Sequence, residues 1–203
     1  MRRLTIALSG ASYSGKTTKM KELKSIYKDG LLLSDEVIRS TNINISDVRS
    51  NASDYLKFEL EVIKRKIEND FNKHTQAQKD DKILLIDRSI FDSMTYFYLY
   101  MKPSDLPEED LKKFSAFDEY LYKEAIPFYN DILNGIFLFK PLKINQEIIK
   151  KDQYRQVNLN HLQNVEYNMI KSLTYAHFKK PLNEVEAIIW NTKKQNIFDF
   201  NWV

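Results

Sequence analysis

Residues 4–18, LTIALSGASYSGKTT, limit what this chain can fold into more than any other stretch. Leu4, Ile6 and Leu8 alternate along an apolar strand that ends at Ser9. Gly10-Ala11-Ser12-Tyr13-Ser14-Gly15-Lys16-Thr17 then fits G-x-x-x-x-G-K-[ST] at every fixed position. Such a loop turns its backbone N–H groups inward, so a polyphosphate can sit in a nest at a helix N-terminus. Lys16 is placed to reach the β- and γ-phosphates, and Thr17 to offer its hydroxyl to Mg²⁺. Gly10, Ala11, Ser12, Tyr13, Ser14, Gly15, Lys16, Thr17 and Thr18 are therefore the expected nucleotide-binding residues, with ATP and Mg²⁺ as cofactors. At average glycine usage a chain of this size would match by accident in roughly 1% of cases. This chain has only 4 Gly, and two of them fall on the motif.

Composition narrows the class. A length of 203 residues predicts one domain, 1–203, and 43% hydrophobic residues are enough for a full core. The lack of cysteine excludes disulfide frameworks, thiolate zinc sites and cysteine nucleophiles together. MRRLTIALSGAS has the arginines of a signal peptide, but its strand is too short for an h-region and Gly10 already belongs to the loop. No run approaches the ~18 apolar residues of a membrane span, so the expected location is cytoplasmic. A net charge of +3 is too mild to call for a nucleic-acid partner. Lys64-Arg65-Lys66 and Lys150-Lys151 are interleaved with acids and read as solvated helix faces.

The spacing predicts alternating strands and helices, hence a parallel sheet wound on both faces. A helix is expected over about Gly15–Tyr27, with Met20, Leu23 and Ile26 inward and Gly30 as a left-handed C-cap. Leu31–Leu33 reads as a buried strand ending in Ser34-Asp35-Glu36, and residues 40–52 as a surface loop. An amphipathic helix follows over about Asp54–Asn72, with Leu56, Leu60, Ile63, Ile67 and Phe71 on its inner face. Its role is read as covering the sheet. A linker at 74–82 leads to a strand at Ile83–Ile86, which ends in Asp87-Arg88-Ser89. The segment 90–101 reads as a helix whose rings Tyr96, Phe97, Tyr98 and Tyr100 belong to the core, unless one lines a pocket. Pro103 ends it, and another helix starts near Pro107 and reaches Tyr129 with a disturbance at Pro127. Ile136–Phe139 is a fourth strand, 159–173 a helix, Thr174–Phe178 a fifth strand and Asn183–Lys194 a last helix.

Three strand ends thus carry chemistry at the edge where open α/β sheets bind ligands. Asp87, closing an apolar strand, is the candidate Mg²⁺ carboxylate beside Thr17. Asp35 or Glu36 is the candidate general base toward an acceptor hydroxyl, and the residues alone do not choose between them. Arg88 would face the acceptor or the transferring phosphate. Arg39 would hold a phosphate already on the acceptor, or pair with Asp35 one helical turn away. Arg155, with Lys150 and Lys151, would close a lid over the phosphates at about 140–157.

GASYSGKT, then Asp35-Glu-Val-Ile-Arg39, LLIDRSIFDSMTY and FKPL…KKDQYR resemble the P-loop nucleoside and nucleotide kinases. The pattern is similar above all to the ribosylnicotinamide-kinase-like ATPase/kinase domain, and also to deoxynucleoside and thymidylate kinases. Glu36, Arg39, Asp87, Arg88, Asp152 and Arg155 fall on that pattern's E-V-x-R, D-R and D-x-x-R places, with Ser89-Ile90 where Gly-Pro is common. The resemblance implies a three-layer α/β fold with a five-stranded parallel sheet and a mobile lid. It also implies catalytic use of Lys16, Asp35 or Glu36, Arg88 and Arg155, and often a homodimer. The expected activity is ATP- and Mg²⁺-dependent phosphoryl transfer to a (deoxy)nucleoside or nucleoside monophosphate. The rival readings are a kinase of nucleic-acid hydroxyls and a regulatory P-loop ATPase. A GTPase is disfavoured, because the nearest string to N-K-x-D, Asn191-Thr-Lys-Lys-Gln195, lacks the lysine in place and the aspartate.

Overall fold

The structure, a computed structural model, describes residues 4–12, 14–37, 45–139, 163–165, 167–169 and 187–190. Five parallel strands form one sheet in the order β2-β3-β1-β4-β5. They are β1 (Thr5–Gly10), β2 (Leu31–Ser34), β3 (Ile83–Asp87), β4 (Gly135–Phe139) and β5 (Ala187–Trp190). β1 is central, with Leu8 beside Asp87 on one side and Gly10 beside Phe139 on the other. The strand that carries the loop therefore has both its flanks occupied.

The period of two along each strand sorts residues between two helical layers. Ile6, Leu8, Leu31, Ile83, Leu85, Phe137 and Phe139 pack with Met20 and Leu23 of α1 (Lys16–Tyr27). Ala7, Leu84, Ile86 and Ile136 face the other way. They meet α3 (Ala52–Lys79), α4 (Ile90–Tyr100) and α6 (Ile126–Ile132) through Leu56, Ile63, Ile90, Phe97, Ile126 and Tyr129. Between α4 and α6 lie α5 (Glu108–Tyr120) and a π-helical turn at Leu121–Ala125. That turn falls just before Pro127, whose missing N–H cannot complete an α-helical ladder. The expected disturbance is there, and the helical chain runs on past Tyr129 to Ile132.

Several expectations need correction. Ile26 and Phe71 are 59% and 54% exposed, since each sits at the edge of its helix's apolar stripe rather than on the sheet. The expected left-handed glycine cap is absent: α1 ends at Lys28 with φ 45° and ψ −114°, and Gly30 closes a 3-10 turn. Residues 45–48, expected as loop, form the helical turn α2 (Ile45–Val48). Asn51 caps α3 by accepting from the Ser53 and Asp54 N–H groups, and α3 absorbs most of the expected linker by running to Lys79. The last expected helix contains instead the edge strand β5, where Ile188-Ile189 favours extended backbone. The expected strand at 174–178 lies outside the described residues, as does most of the 159–173 segment, whose described parts are helical.

α3 also buries polar groups. Glu59 is 3% exposed, and burial raises its carboxyl to about 7 against the opposing pull of Tyr55 and Arg49. Arg49 lies 3.4 Å from the Tyr100 ring centroid, and Tyr55 meets that ring edge-on. A carboxyl raised on folding binds more protons than its unfolded counterpart, so its contribution weakens stability as pH rises from about 4.5 through 7. Glu59→Gln should therefore raise the melting temperature by about 3–6 °C at pH 8 and leave it unchanged at pH 4.5. Thermal unfolding across that range checks the sign.

Candidate functional site

The loop after β1 is held by its first glycine. Gly10 has φ 139°, and a Cβ there would lie 2.4 Å from the Phe139 carbonyl oxygen, so the close approach to β4 admits no side chain. Its N–H donates to Asp92 Oδ1 at 3.0 Å. The other Asp92 oxygen accepts from the Ser89 N–H and the Ser89 hydroxyl, both at 3.0 Å. Since the Ser89 hydroxyl proton goes to Asp92, the 3.0 Å contact between Ser9 and Ser89 is a donation from Ser9. One carboxylate thus ties the loop to the β3–α4 turn.

Gly15 takes φ 88° as the N-cap of α1, with no side-chain cap and no acid in the first turn. The helix's positive end is left to whatever anion the loop holds. Lys16 is buried, and its ammonium donates to Gly10 O (2.6 Å), Ala11 O (2.7 Å) and Ser14 Oγ (3.0 Å). Burial, then Arg88, lowers its pKa to about 7, against Asp92, Asp87 and Glu36, which raise it. Thr17 is half-buried and Thr18 exposed in the same turn.

Arg88 adopts φ 62°, a strained backbone for a non-glycine residue, directly after β3. Its N–H still reaches Leu8 O at 3.1 Å, so the ladder to β1 survives while the side chain is redirected. Arg88 Nε lies 2.5 Å from Glu36 Oε1, with the two side chains 10% and 8% exposed. That contact is a charge pair without hydrogen-bond alignment, so Nε keeps an undirected buried N–H. Nη1 is 3.3 Å from Tyr96 Oη, 3.4 Å from Gly10 O and 3.8 Å from Asp92. Burial would lower the arginine's pKa, but Tyr96, Glu36 and Asp92 more than reverse this, and it is firmly cationic. Asp87 is raised, first by burial and then by Glu36, against Arg88 and Lys16.

Of the expected residues, Lys16, Glu36, Asp87 and Arg88 gather beside the loop, whereas Asp35 is exposed. Tyr13, Arg39, Asp152, Arg155, Lys150, Lys151 and the 140–157 segment lie outside the described residues. Among the adjacent rings, Phe97 is core, Tyr98 donates to Asp118, Tyr100 meets Arg49, and Tyr96 borders the site. Asp92 is a site residue that the strand-end pattern does not pick out. Its signal is nonetheless present, since Ser89-x-x-Asp92 before an apolar run has the form of a capping box. Removing that carboxylate leaves the buried Gly10 N–H and Ser89 hydroxyl without an acceptor. Asp92→Ala should cost about 2–4 kcal/mol of stability, measurable by urea unfolding, whereas a loss under ~1 kcal/mol would deny the bridge its role.

The oxygen donors Thr17 and Asp87 suit a hard divalent cation. Among the described residues no cluster of three or more His, Cys, Asp or Glu forms a closed metal cage. No helix there is long and apolar enough to cross a membrane.

The family described as AAA domain matches residues 5–187. No curated protein matches the chain. Among solved structures it is similar to NadR protein in complex with NR, with TM-score 0.61 and 13% identity. That likeness covers 95% of this chain and 47% of the NadR chain, so the chain spans about half of that protein. It is also similar to deoxyadenosine kinase from M. mycoides with bound dATP, at TM-score 0.58 and 12% identity over 91% and 90% of the two chains. At these identities the likeness is one of fold alone.

Proposed function

The chain belongs to the AAA domain family, and from that premise we propose that it is an ATP- and Mg²⁺-dependent kinase of a small acceptor, a (deoxy)nucleoside or nucleoside monophosphate. The observation that carries this reading is the Glu36–Arg88 pair set beside the phosphate loop. The pair supplies a carboxylate base and a fixed cation, the two groups that transfer to an acceptor hydroxyl needs beyond the phosphate cradle. The fold shared with two kinase-like structures supports the same reading.

In this reading Gly10–Thr18 cradle the triphosphate, and Lys16 exchanges its contacts with loop carbonyls for phosphate oxygens. Mg²⁺, held by Thr17 and Asp87, supplies neutralising charge when bound. Glu36 rather than Asp35 accepts the acceptor's proton, because its side chain is buried, paired with Arg88 and next to the loop. Arg88 steadies charge on the transferring or acceptor phosphate through its fixed guanidinium charge. Arg39 holds an acceptor phosphate, and Arg155 with Lys150 and Lys151 closes a 140–157 lid. Tyr96, against Arg88, gives the acceptor an aromatic wall.

Labelled ATP with Mg²⁺, offered with nucleosides, monophosphates, ribosylnicotinamide and DNA ends, tests the reading. A labelled small acceptor is the expected product. Hydrolysis without any labelled acceptor would mark a regulatory ATPase, and label on DNA ends a polynucleotide kinase. Glu36→Gln should lower kcat by about 10²–10⁴-fold while nucleotide affinity stays near wild type, and Lys16→Ala should abolish turnover.

Lys16 also gives nucleotide affinity a pH dependence. Its amine loses its proton above about 7 in the free loop, and phosphate contact must raise that value. Binding therefore takes up a proton above pH 7, and affinity falls by up to about tenfold per pH unit there. Calorimetry at pH 8 in two buffers of different ionisation heat should register the uptake. Equal heats would mean that Lys16 is already cationic in the free protein.

A further inference from the structure

A second charged cluster lies behind the site, in the layer between β2, α3 and α6. Lys66 and Asp70 form an ion pair at 2.8 Å with side chains 3% and 0% exposed. Asp70 Oδ1 also accepts from the Ser34 hydroxyl at 2.5 Å, and Oδ2 from the Tyr129 hydroxyl at 2.5 Å. Ser34 Oγ in turn accepts from Asn69 Nδ2 at 2.7 Å. The hydroxyl of Ser34 is thus fixed as both donor and acceptor, and each Asp70 oxygen is used. Sequence alone puts Lys66 on a solvated face; the structure buries it, while Arg65 pairs with Glu61 at the surface.

Apolar side chains would join β2 to α3 at least as well, since burying an ion pair costs desolvation that its attraction often fails to exceed. What the polar cluster adds is direction. β2 is an edge strand bonded to β3 alone, and its registered pairing ends at Ser34 beside Ile86. Asp35 and Glu36 follow immediately, beyond the end of that registered pairing. The cluster grips the last paired residue from the helical layer, two residues before the carboxylate that meets Arg88. Among the described residues its hydrogen bonds run between β2, α3 and α6.

We propose that the Lys66–Asp70–Tyr129 cluster, acting through Ser34, is a positioning device for Glu36. It holds the strand end that bears Glu36 from the helical layer, while Arg88 meets the carboxylate from the side of the loop. Ser34, Asp70 and Tyr129 are positioning residues rather than catalytic ones. The kinetic consequence rests on the kinase reading above; the structural coupling between Ser34 and Glu36 does not.

Two measurements test it. The first needs no activity: thermal unfolding of wild type, Ser34→Ala, Glu36→Gln and the double variant. If Ser34 holds Glu36 in place, loss of its hydroxyl already releases the carboxylate, and Glu36→Gln then costs less. The double variant should lose at least about 3 °C less than the two single losses combined. Strict additivity overturns the proposal. The second compares Ser34→Ala and Tyr129→Phe with wild type in steady-state phosphorylation of the acceptor that the panel identifies. Acceptor kcat/KM should fall about 10–100-fold, while the Kd of a fluorescent ATP analogue changes less than about twofold and its binding stoichiometry stays full. A merely structural role would lower stoichiometry and rate together, and unchanged acceptor kinetics would also overturn the proposal. If wild type phosphorylates no acceptor, the kinase reading falls, and the unfolding cycle still decides whether the cluster holds Glu36.

Discussion

The site depends on one buried carboxylate that joins two strand ends. Asp92 takes the N–H of the first loop glycine on one oxygen and both donors of Ser89 on the other. Gly10 ends the central strand and Ser89 begins the helix after β3, so the bridge fixes two strand ends against each other. Because Asp92 is 1% exposed, its bonds are shielded from water and act as directional constraints. The Gly10 N–H is spent inside the protein, so the anion-facing donors of the loop must come from the residues after it. Gly10 therefore shapes the nest, and the open N-terminus of α1 at Gly15 completes it.

Around that bridge the charges are balanced unevenly. Lys16 and Arg88 share a small buried volume with Glu36, Asp87 and Asp92. The two cations do not respond alike. Arg88, with Glu36, Asp92 and the Tyr96 hydroxyl around it, keeps its charge, whereas Lys16, folded against backbone carbonyls, is drawn down toward neutrality. The difference follows from chemistry as well as position. A guanidinium is hard to deprotonate and spreads its donors, while an amine gives up its proton readily when desolvated. Lys16 is thus the responsive cation and Arg88 the fixed one. Among the described residues here the carboxylates outnumber the cations, and the oxygens of Asp87 suit an oxygen-seeking divalent cation.

The features legible in the sequence are those written in local pattern. The loop's glycines, the apolar runs of β1, β3 and β4, and the acids and arginine at strand ends all need only neighbours in the chain. Asp92 is half legible, because a capping box marks a helix start but not the strand 82 residues earlier whose N–H the same carboxylate takes. Lys66 and Asp70 escape for a related reason. On a helix written as mostly polar, an i,i+4 lysine–aspartate pair looks like a surface pair, and only the approach of β2 and α6 buries it. Phe71 errs the other way, since periodicity assigns it inward although its ring ends beside Phe128 at the margin of the layer. The edge strand β5 reads as helix because a four-residue apolar run carries both periods, and only its pairing with β4 decides.

The topology supports the phosphate loop and the Glu36 carboxylate in different ways. β1 is central and ladder-bonded on both sides, so the loop that follows it inherits a rigid platform. β2 is an edge strand, and the carboxylate that follows it cannot borrow rigidity from a second ladder. An edge strand that must place a side chain accurately needs support from outside the sheet. The polar cluster of α3 and α6 lies where that support is needed, on the side of the sheet away from α1. α3 is thus more than a cover for the sheet, and its long run from Ala52 to Lys79 joins two tasks. Near its start it carries Tyr55, whose hydroxyl donates to the Tyr96 carbonyl, and Glu59 beside that ring. Further along the same helix it brings Lys66, Asn69 and Asp70 to Ser34, so one helix braces both the backbone at Tyr96 and the strand end that bears Glu36.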